Sequence, residues 1–572
     1  MANPARRMAG MAALWQRVGN APRCWRSVLL QTSLAVGLAS CGGGGGVDPV
    51  DTPTPTDVLG ALPSRKLSTD SPVAGGCTGG HTTGTLYAGA EVEPMAANLA
   101  TDPNHIVATW QQDRWSDGGA RGIVTAVSND GGASWARTLQ PMSRCGGALA
   151  GSAGDFERVS DPWIDIGSNG VAHVVGLAIS GGVLVAGSSS SVVASRSLDG
   201  GATWSTPVNL LRDDGAGFFN DKESVTVDSV DPRKVYVVWD RLESSGRGPA
   251  MLARSTDAGA SWEAARAIYS PTVAGGVSQT LGNRVLVVPS GPDRGTLVNV
   301  FTQIDTAAGT STPRVALVRS TDFGVTWGAP VVVANLMSVG AKDPFSGVKI
   351  RDAADLVTAA VGPDGTLWLA WQDARFSGGK FDAIALSKST DAGRTWSAPV
   401  AINRRADVSA FIPTLQVRAD GVIGVLHYDF RSRMAGTSSL LTDAWLLSSR
   451  DGVSWTETHV QGPFDFGAAP VAEGLFLGDY QALIGLGSDF MPVLVLSSPA
   501  SIANRTDVYD PRFAVTAVAA QAFSARAAPL GATAQSASWQ AASHDAVVTM
   551  MERRIPGWAK RVGAVAPADP SR

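Results

Sequence analysis

Acidic, basic and aromatic residues recur together in short segments of this 572-residue chain. Arginine binds carboxylates through paired hydrogen bonds, carboxylates accept hydrogen bonds from hydroxyls, and aromatic rings add a rigid apolar surface. If these segments converge, they form a pocket suited to a sugar or a carboxylate. The Asp and Arg residues in them are equally suited to bracing neighbouring loops. The segments are WQQDRWSDGGAR (110–121), DFERVSDPW (155–163), NDKES (220–224), WDR (239–241), GNR (282–284), KIRDAAD (349–355), WQDAR (371–375), YDFR (428–431) and EGLFLGDY (473–480).

An octapeptide that occurs six times indicates the elements that position these segments. Five copies follow the pattern S-x-D-x-G-x-[ST]-W, and in the sixth the aspartate, Asp451, stands one place late. Between the copies, short apolar segments alternate with turn residues in a constant order, which predicts four antiparallel strands per repeat. Four such strands form one blade of a β-propeller, so the predicted fold class is all-β. The copies are SNDGGASW (128–135), SLDGGATW (197–204), STDAGASW (255–262), STDFGVTW (320–327), STDAGRTW (389–396) and SSRDGVSW (448–455).

The octapeptide is predicted to form the turn between the third and fourth strands of each blade. Its aspartate can accept hydrogen bonds from the turn, its glycine can take a positive φ, and its tryptophan can pack under the sheet. A structural role therefore explains the octapeptide better than a binding role. Because strands alternate in direction, the charged segments would lie on the opposite face of the propeller.

The number of blades follows from the signals for the first hairpin of each repeat. Seven such signals favour seven blades, with six as the alternative, over a propeller domain at residues 76–515. The strand Gly84–Val92, ahead of the first blade, is predicted to close the ring as an N-terminal strand and so to remove the exposed sheet edges. Residues 516–572 form an Ala/Ser-rich tail in which 539–554 can form an amphipathic helix, although a loosely docked or disordered tail is the simpler interpretation.

The octapeptide resembles the Asp box of the bacterial neuraminidase repeat, and the resemblance covers roughly residues 77–515. It implies a sialidase-like propeller. Sialidases bind the sugar carboxylate with three arginines and use a tyrosine nucleophile paired with a glutamate, together with an aspartate acid/base. On this resemblance Tyr480 is the candidate nucleophile, Glu473 its partner and Asp113 the acid, while a core role for Tyr480 is the alternative. The candidate substrate-binding arginines are Arg158, Arg284, Arg351 and Arg431.

Two departures from the sialidase pattern leave the function open. In sialidases a Phe/Tyr-Arg-Ile-Pro motif in the first blade places the first of the three arginines. This motif is missing from the first blade of this chain, and its Arg-Ile-Pro sequence lies at 554–556, in the tail. Sialidase rings have six blades, and seven-bladed Asp-box propellers include xyloglucan hydrolases and a non-enzymatic photosystem assembly factor. We therefore carry two hypotheses: a propeller that binds glycans or glycoconjugates, with exo-α-sialidase hydrolysis left open, and a non-catalytic scaffold for a protein or envelope complex. No protein partner can be named.

The N-terminus has the features of an export signal. Basic residues precede the apolar run Ser27–Ser40, and Leu38–Cys41 resembles the lipobox of bacterial lipoproteins, in which the cysteine is acylated. An ordinary signal peptide with a chance cysteine is the alternative. We expect residues 1–41 to be a lipoprotein signal peptide and 42–75 a disordered Gly/Pro/Thr tether. Gly42 in place of Asp favours the outer membrane, on either of its faces.

Cysteine count and charge restrict the remaining functions. Cys24 lies upstream of the expected cleavage point and would be lost, and Cys41 would carry the lipid, so only Cys77 and Cys145 remain in the mature chain. We expect a disulfide between them in an oxidising compartment, with two free thiols as the alternative. The six histidines are scattered, so neither a metal site nor a cofactor is expected. A net charge of -4 leaves no basic face, which argues against a nucleic-acid partner.

Overall fold

A computed structural model describes residues 65–498, 505–511, 521–529 and 536–564. The expected signal peptide, the expected acylation site Cys41 and most of the expected tether lie outside these residues. Nearly all the regular structure is β-strand, as the turn-rich, repeating sequence predicts. Two short 3₁₀ helices lie at Ala374–Phe376 and Phe466–Ala468.

The strands form antiparallel sheets in chain order. The first sheet contains β1 (Leu86–Leu99), β2 (Asp102–Trp115), β3 (Ala120–Ser128), β4 (Ala136–Gln140), β5 (Arg158–Ile166), β6 (Ala172–Ser180), β7 (Ser189–Ser197) and β8 (Val208–Asp214). The second contains β9 (Phe218–Val227), β10 (Val235–Glu243), β11 (Ala250–Ser255) and β12 (Arg266–Tyr269). The third contains β13 (Gly276–Val287), β14 (Leu297–Ala307), β15 (Thr310–Ser320) and β16 (Val331–Asn335).

Three further sheets and two helices follow. The fourth sheet contains β17 (Thr358–Val361), β18 (Leu367–Asp373), β19 (Ala383–Ser389) and β20 (Val400–Ala401). The fifth contains β21 (Ala410–Val417), β22 (Ile423–Asp429), β23 (Leu441–Ser449) and β24 (Ser454–Asp465), and the sixth contains β25 (Ala482–Leu486), β26 (Asp489–Ser497) and β27 (Thr506–Tyr509). The later strands β28 (Gln521–Ser524) and β29 (Arg526–Ala527) extend the fifth and fourth sheets, and the helices are α1 (Ala537–Arg554) and α2 (Trp558–Val562).

The sheets are arranged as in a propeller. The second to sixth sheets each have the three to five antiparallel strands of a blade. The first sheet consists of two four-stranded groups, β1–β4 and β5–β8, which a single residue pair between Ala120 and Val159 joins. The first strands β1, β5, β9, β13, β17, β21 and β25 contact one another in this order, and β25 contacts β1. The inner strands thus form a closed circle around one axis.

The N-terminal segment that pairs with the last sheet differs from the predicted one. Gly84–Val92 does not add a strand to the sixth sheet, because Leu86–Leu99 pairs along its length with β2 as the first strand of the first sheet. Instead, Lys66 pairs with Tyr509, and the Leu67 N–H donates to the Val508 carbonyl at 2.7 Å. An ion pair between Lys66 and Asp507 adds to this contact.

The octapeptides form the turns between third and fourth strands, as predicted. In the first copy the Ser128 hydroxyl donates to Asp130 and accepts the Gly132 N–H, and Asp130 accepts both the N–H and the hydroxyl of Ser134. Gly131 and Gly132 have positive φ, a conformation that glycine adopts without steric cost. In the sixth copy Ser449 makes the bond to Asp451, which explains the late aspartate: this turn is one residue shorter.

The disulfide and the tail complete the fold. Cys77 and Cys145 are bonded, as predicted, with their Cα atoms 5.7 Å apart. Helix α1 docks on the propeller through Val547, Val548 and Met551, so this part of the tail is packed and not loose. Among the described residues, no helix is both long and apolar enough to cross a bilayer.

Candidate functional site

A cleft of about 590 Å³ lies on the face opposite the octapeptide turns. Loops after second strands, segments that enter first strands, and helix α1 line it. Gly118 and Gly119 represent the first kind of loop, and Lys349–Leu356 represents the second. Five of the nine charged segments therefore meet at this cleft, on the face that we call the loop face: 110–121, 155–163, 220–224, 349–355 and 473–480.

Each inner strand contains, or is preceded by, a residue with a left-handed backbone, and three of the seven such residues line this cleft. In several strands the residue lies in a β-bulge, where the pairing with the second strand shifts register. Non-glycine residues with positive φ cost free energy and concentrate at functional sites. The residues are Glu93, Asp161, Lys222, Gly282, Ala353, Ile412 and Gly478.

Lys222 is the centre of a buried ion cluster at the bottom of the cleft. Its Nζ lies 2.5 Å from Asp479, 3.1 Å from Asp161 and 3.9 Å from Glu93. Arg351 binds Asp479 at two points, with Nε 3.0 Å from Oδ1 and Nη2 2.7 Å from Oδ2. The five residues of this cluster come from inner strands, or from the segments that precede them, far apart in the sequence.

The charges and the burial within this cluster determine which of its carboxyl groups are ionised. Burial opposes ionisation of Asp479, but Arg351 and Lys222 outweigh it and hold the pKa of this carboxyl far below its ordinary value. Burial, followed by the Asp161 carboxylate, raises the pKa of Glu93 to about 8. At neutral pH Glu93 is therefore protonated, and two carboxylates balance the two cations Lys222 and Arg351.

Three arginines converge on the wall above this cluster. Arg114, at the end of β2, and Arg351 both lie against the Phe476 ring, with Cζ 5.0 and 4.2 Å from its centroid. Arg553 of α1 is close enough that burial, and then the charge of Arg351, lower its pKa. Burial and Arg351 lower the pKa of Arg114 in the same way. Arg553 forms no hydrogen bond or ion pair with any described residue, so its guanidinium is available to an anion.

Helix α1 forms the remaining wall of the cleft. Arg554 pairs with Asp221 at 2.8 Å and also with Asp240. Val547, Val548, Met551, Ile555 and Trp558 pack against an apolar patch of the loop face that includes Leu177, Ile179, Phe219 and Leu281. The Arg-Ile-Pro sequence at 554–556, which lies beyond every blade in the sequence, therefore borders the cleft in space.

Three of the predicted site residues line the cleft. Arg351 belongs to the arginine wall, and Glu473 stands exposed at the rim with a positive φ. Arg158 lines the cleft but donates to the carbonyls of Gly118 at 2.6 Å and Gly181 at 2.5 Å. It therefore braces two loops of the loop face.

Two other predicted residues, Tyr480 and Arg284, line a separate cavity along the axis, which we call the axial channel. The Tyr480 hydroxyl donates to the Pro162 carbonyl at 2.9 Å, and its ring lies 5.2 Å from that of Trp163. Burial and then the charges of Glu93 and Asp161 raise the pKa of Tyr480 well above its ordinary value. Its phenol is neutral and already engaged with the backbone.

Asp113 and Arg431 lie outside both cavities. Asp113 is fully buried and accepts from Arg121, from Ser71 at 2.6 Å and from the Gly89 N–H at 2.7 Å. The structure thus places the predicted acid in a closed hydrogen-bond set with no access to the cleft. Arg431 pairs with Asp429 and Glu457, so it is a brace within the fifth sheet.

The sequence did not single out Lys222, Glu93 or Arg553 as site residues. Lys222 stands inside the charged segment 220–224, so composition gave a weak signal for it. Arg553 lies in the tail, beyond the propeller in the sequence. The only sign that it would be ordered was its position on the predicted helix 539–554. Among the described residues, no group of three His, Cys, Asp or Glu side chains is arranged to hold a metal ion.

Comparisons with known proteins found similarity to solved structures only at low sequence identity. No protein-family profile matches the chain. No curated protein matches it. Among solved structures it is similar to a Hadza microbial sialidase, at 18% identity over 72% of this chain and 74% of that chain, with a TM-score of 0.39.

Two other solved structures are similar to a comparable degree. An intramolecular trans-sialidase from Ruminococcus gnavus has 13% identity over 64% of this chain and 96% of that chain, with a TM-score of 0.37. An α-L-arabinofuranosidase from Fusarium graminearum has 11% identity over 60% of this chain and 91% of that chain, with a TM-score of 0.39. Identities and TM-scores this low assign no family, and the propeller-like arrangement rests on the sheets of the chain itself.

Proposed function

We propose that this protein is a glycan-binding propeller of the cell envelope and that its ligand is a sugar that carries a carboxylate. The observation that carries the proposal is the convergence of Arg114, Arg351 and Arg553 on one wall of the cleft. Arg553 has no partner among the described residues, and a guanidinium pairs with a carboxylate through two parallel hydrogen bonds. Acceptors for sugar hydroxyls stand nearby at Asp161 and Glu473.

Binding without cleavage by Tyr480 is the form of the proposal that the geometry supports. A nucleophilic tyrosine needs an adjacent base and access to the substrate. Tyr480 lies in the axial channel, its hydroxyl donates to Pro162, and the carboxylates around it raise its pKa. Hydrolysis of the sialidase type therefore needs a different nucleophile, and turnover is a result that the experiment below can detect.

We further propose that the ring has seven blades and belongs with the Asp-box propellers. Three observations support this: the octapeptide turns with their repeated hydrogen bonds, one left-handed residue at each of seven inner strands, and the cyclic contacts of those strands. The count treats the eight-stranded first sheet as two blades. The pairing of 66–67 with β27 supports closure by an N-terminal segment, at a different place from the one that the sequence predicted.

Acylation at Cys41 and location in the outer membrane remain part of the proposal. They rest on the lipobox resemblance and on the tether-like composition of 42–75. A lipid anchor would hold the propeller at the envelope and leave its loop face free for glycans.

A glycan array tests the proposal. Purified protein should retain glycans that carry sialic or uronic acids and should not retain neutral glycans of the same backbone. Arg553→Ala should lose this retention, while Arg561→Ala, an exposed arginine on α2, should keep it. Release of free sugar from aryl sialosides would add catalysis to the proposal, and an array without any acidic glycan bound would contradict it.

An exposed apolar patch favours the alternative function, a scaffold for another protein. Two loops, 343–348 and 433–434, carry three apolar side chains that are each more than half exposed: Phe345, Val348 and Met434. An ion pair between Arg433 and Asp343 connects these loops. If the array shows no bound glycan, crosslinking should join the wild-type chain to another envelope protein. The double variant Phe345→Ser, Met434→Ser should then lose this crosslinked product.

A further inference from the structure

The cleft contains a group of apolar side chains in addition to its arginine wall. Val183, Leu356 and Met550 line the cleft, and each is partly exposed and packs at the edge of the buried apolar cluster under helix α1. Val183 belongs to the loop between β6 and β7, Leu356 to the segment before β17, and Met550 to α1. We call these three residues the cleft patch.

Two elements place the cleft patch beside the arginine wall. On α1, Met550 precedes Arg553 by three residues, so the two side chains project from the same face of the helix, one turn apart. In the segment before β17, Leu356 follows Arg351 by five residues, a stretch that spans at most about 18 Å. Both members of each pair line the cleft. One ligand can therefore contact an arginine and the cleft patch at the same time.

The cleft patch suits an apolar group better than a second sugar ring. Its three side chains have no hydrogen-bonding atom for a hydroxyl, and a hydroxyl that loses its water without a new partner costs free energy. Removing an apolar group from water against these side chains is favourable. The cleft volume of about 590 Å³ is in the range that buries most of a drug-sized ligand, which is larger than one sugar ring.

We propose that the ligand of the cleft is an acidic glycolipid, in which an alkyl or acyl chain is attached to the carboxylated sugar. The arginine wall binds the carboxylate, and the first methylenes of the chain lie on the cleft patch. Charge complementarity, and the continuity of the two surfaces within one cavity, favour this occupant over a neutral lipid or a polysaccharide. The inference rests on the proposed binding of a carboxylated sugar and adds the chemical class of the group attached to it.

Isothermal titration calorimetry at neutral pH tests this assignment with five probes: methyl and hexyl α-sialosides, methyl and hexyl β-glucuronides, and hexyl β-glucoside. Burial of one methylene strengthens binding by about threefold to fourfold. Because a hexyl group is five methylenes longer than a methyl group, the wild-type chain should bind the hexyl form of its acidic sugar at least tenfold more tightly than the methyl form. The neutral hexyl β-glucoside should bind at least tenfold more weakly than the hexyl acid.

Substitutions in the cleft patch separate binding of the chain from binding of the sugar. Met550→Gln and Leu356→Gln, on two different elements, each introduce a polar group and should lower the hexyl-to-methyl affinity ratio at least fivefold. Affinity for the methyl acid should stay within twofold, which also shows that α1 and Arg553 remain in place. Val325→Gln, at an exposed valine of the fourth octapeptide, is the control and should not change the ratio. Arg553→Ala should weaken both acids alike and keep the ratio.

The outcomes distinguish failure of this inference from failure of the proposed function. Equal affinity for the methyl and hexyl acids would overturn the chain and leave the proposed sugar site intact. An unchanged ratio in both glutamine variants would exclude the cleft patch as the position of the chain. Binding of hexyl β-glucoside as tight as that of the hexyl acid would assign the cleft patch to a neutral lipid. Absence of binding of any acid would contradict the proposed function and this inference together.

Discussion

Arg351 and Asp479 form a two-point ion pair at the bottom of the cleft, with nitrogen to oxygen distances of 3.0 and 2.7 Å. The two residues are 128 positions apart in the chain. Arg351 lies in the segment before β17, and Asp479 lies in the segment before β25. Lys222 shares the Asp479 carboxylate, so the pair also links the cleft to the axial channel. The pair is therefore a long-range tie across the centre of the propeller.

Removing one member of this pair should destabilise the fold. Arg351→Met leaves the buried Asp479 carboxylate with Lys222 as its remaining cation. Loss of one partner of a buried pair costs about 3–5 kcal/mol, and we expect the lower end because Lys222 stays in contact. Equilibrium unfolding in urea measures the loss. A double-mutant cycle with Asp479→Asn should show coupling, and strictly additive effects would contradict the tie.

The octapeptide turns should make stability depend on pH in the acid range. Hydrogen bonds from Thr203 and Ser197 lower the pKa of Asp199 to about 2, and the equivalent carboxyls Asp257, Asp322 and Asp391 are also at about 2. Since these folded-state values lie below the unfolded value near 4, the stabilisation is fully present above pH 4. It is lost as the pH falls from about 4 to 2.

Asp199→Asn tests this dependence. The variant should be less stable than wild type at pH 6, and the difference in unfolding free energy should shrink as the pH falls toward 2. Asp489→Asn, at the first residue of β26 and outside every octapeptide, is the control and should give a constant difference. A difference for Asp199→Asn that does not change with pH would exclude the turn carboxylate as its origin.

The disulfide should stabilise the N-terminal segment against the first sheet. Cys77 and Cys145 are 68 residues apart, and chain-entropy reasoning gives about 4 kcal/mol for a loop of this length. The Cys77→Ser, Cys145→Ser double variant should therefore unfold at a lower denaturant concentration than the oxidised wild type. Reduced wild type should match the variant; equal midpoints for oxidised and reduced protein would be inconsistent with this role.

Acylation of Cys41 predicts how the protein fractionates. The wild-type chain should stay with the membranes through a high-salt wash, and Cys41→Ser should appear in the soluble fraction. Cys24→Ser, upstream of the lipobox, is the matched control and should behave like wild type. Retention of the Cys41→Ser variant on washed membranes would exclude the lipid as the anchor.

The local parts of this fold could be predicted from sequence because each octapeptide contains its own hydrogen-bond partners. Ser128, Asp130 and Ser134 satisfy one another within one turn, so these hydrogen bonds need no partner from another blade. The disulfide was predictable for a similar reason, since only two cysteines remained to pair.

The candidate site could be predicted only in part, because local and distant ion pairs look alike in sequence. Asp429 and Arg431, two residues apart at the end of a second strand, bind each other within their own loop, as do Asp373 and Arg375. Arg351 stands in an equally charged segment but binds Asp479 from another blade. No short-range pattern distinguishes these cases, and none indicates that α1 returns Arg553 to the cleft.

Binding of a sugar carboxylate at the arginine wall can be measured by comparing the affinity of the cleft for one acidic sugar with its affinity for the methyl ester of that sugar. Esterification removes the negative charge and leaves the sugar otherwise unchanged. We predict that wild-type protein binds methyl α-sialoside at least tenfold more tightly than the corresponding methyl ester in a calorimetric titration, and that Arg553→Ala removes this difference while Arg561→Ala keeps it. Equal affinity of the wild-type protein for the acid and the ester, or binding of neither, would contradict the assignment of the arginine wall to a sugar carboxylate.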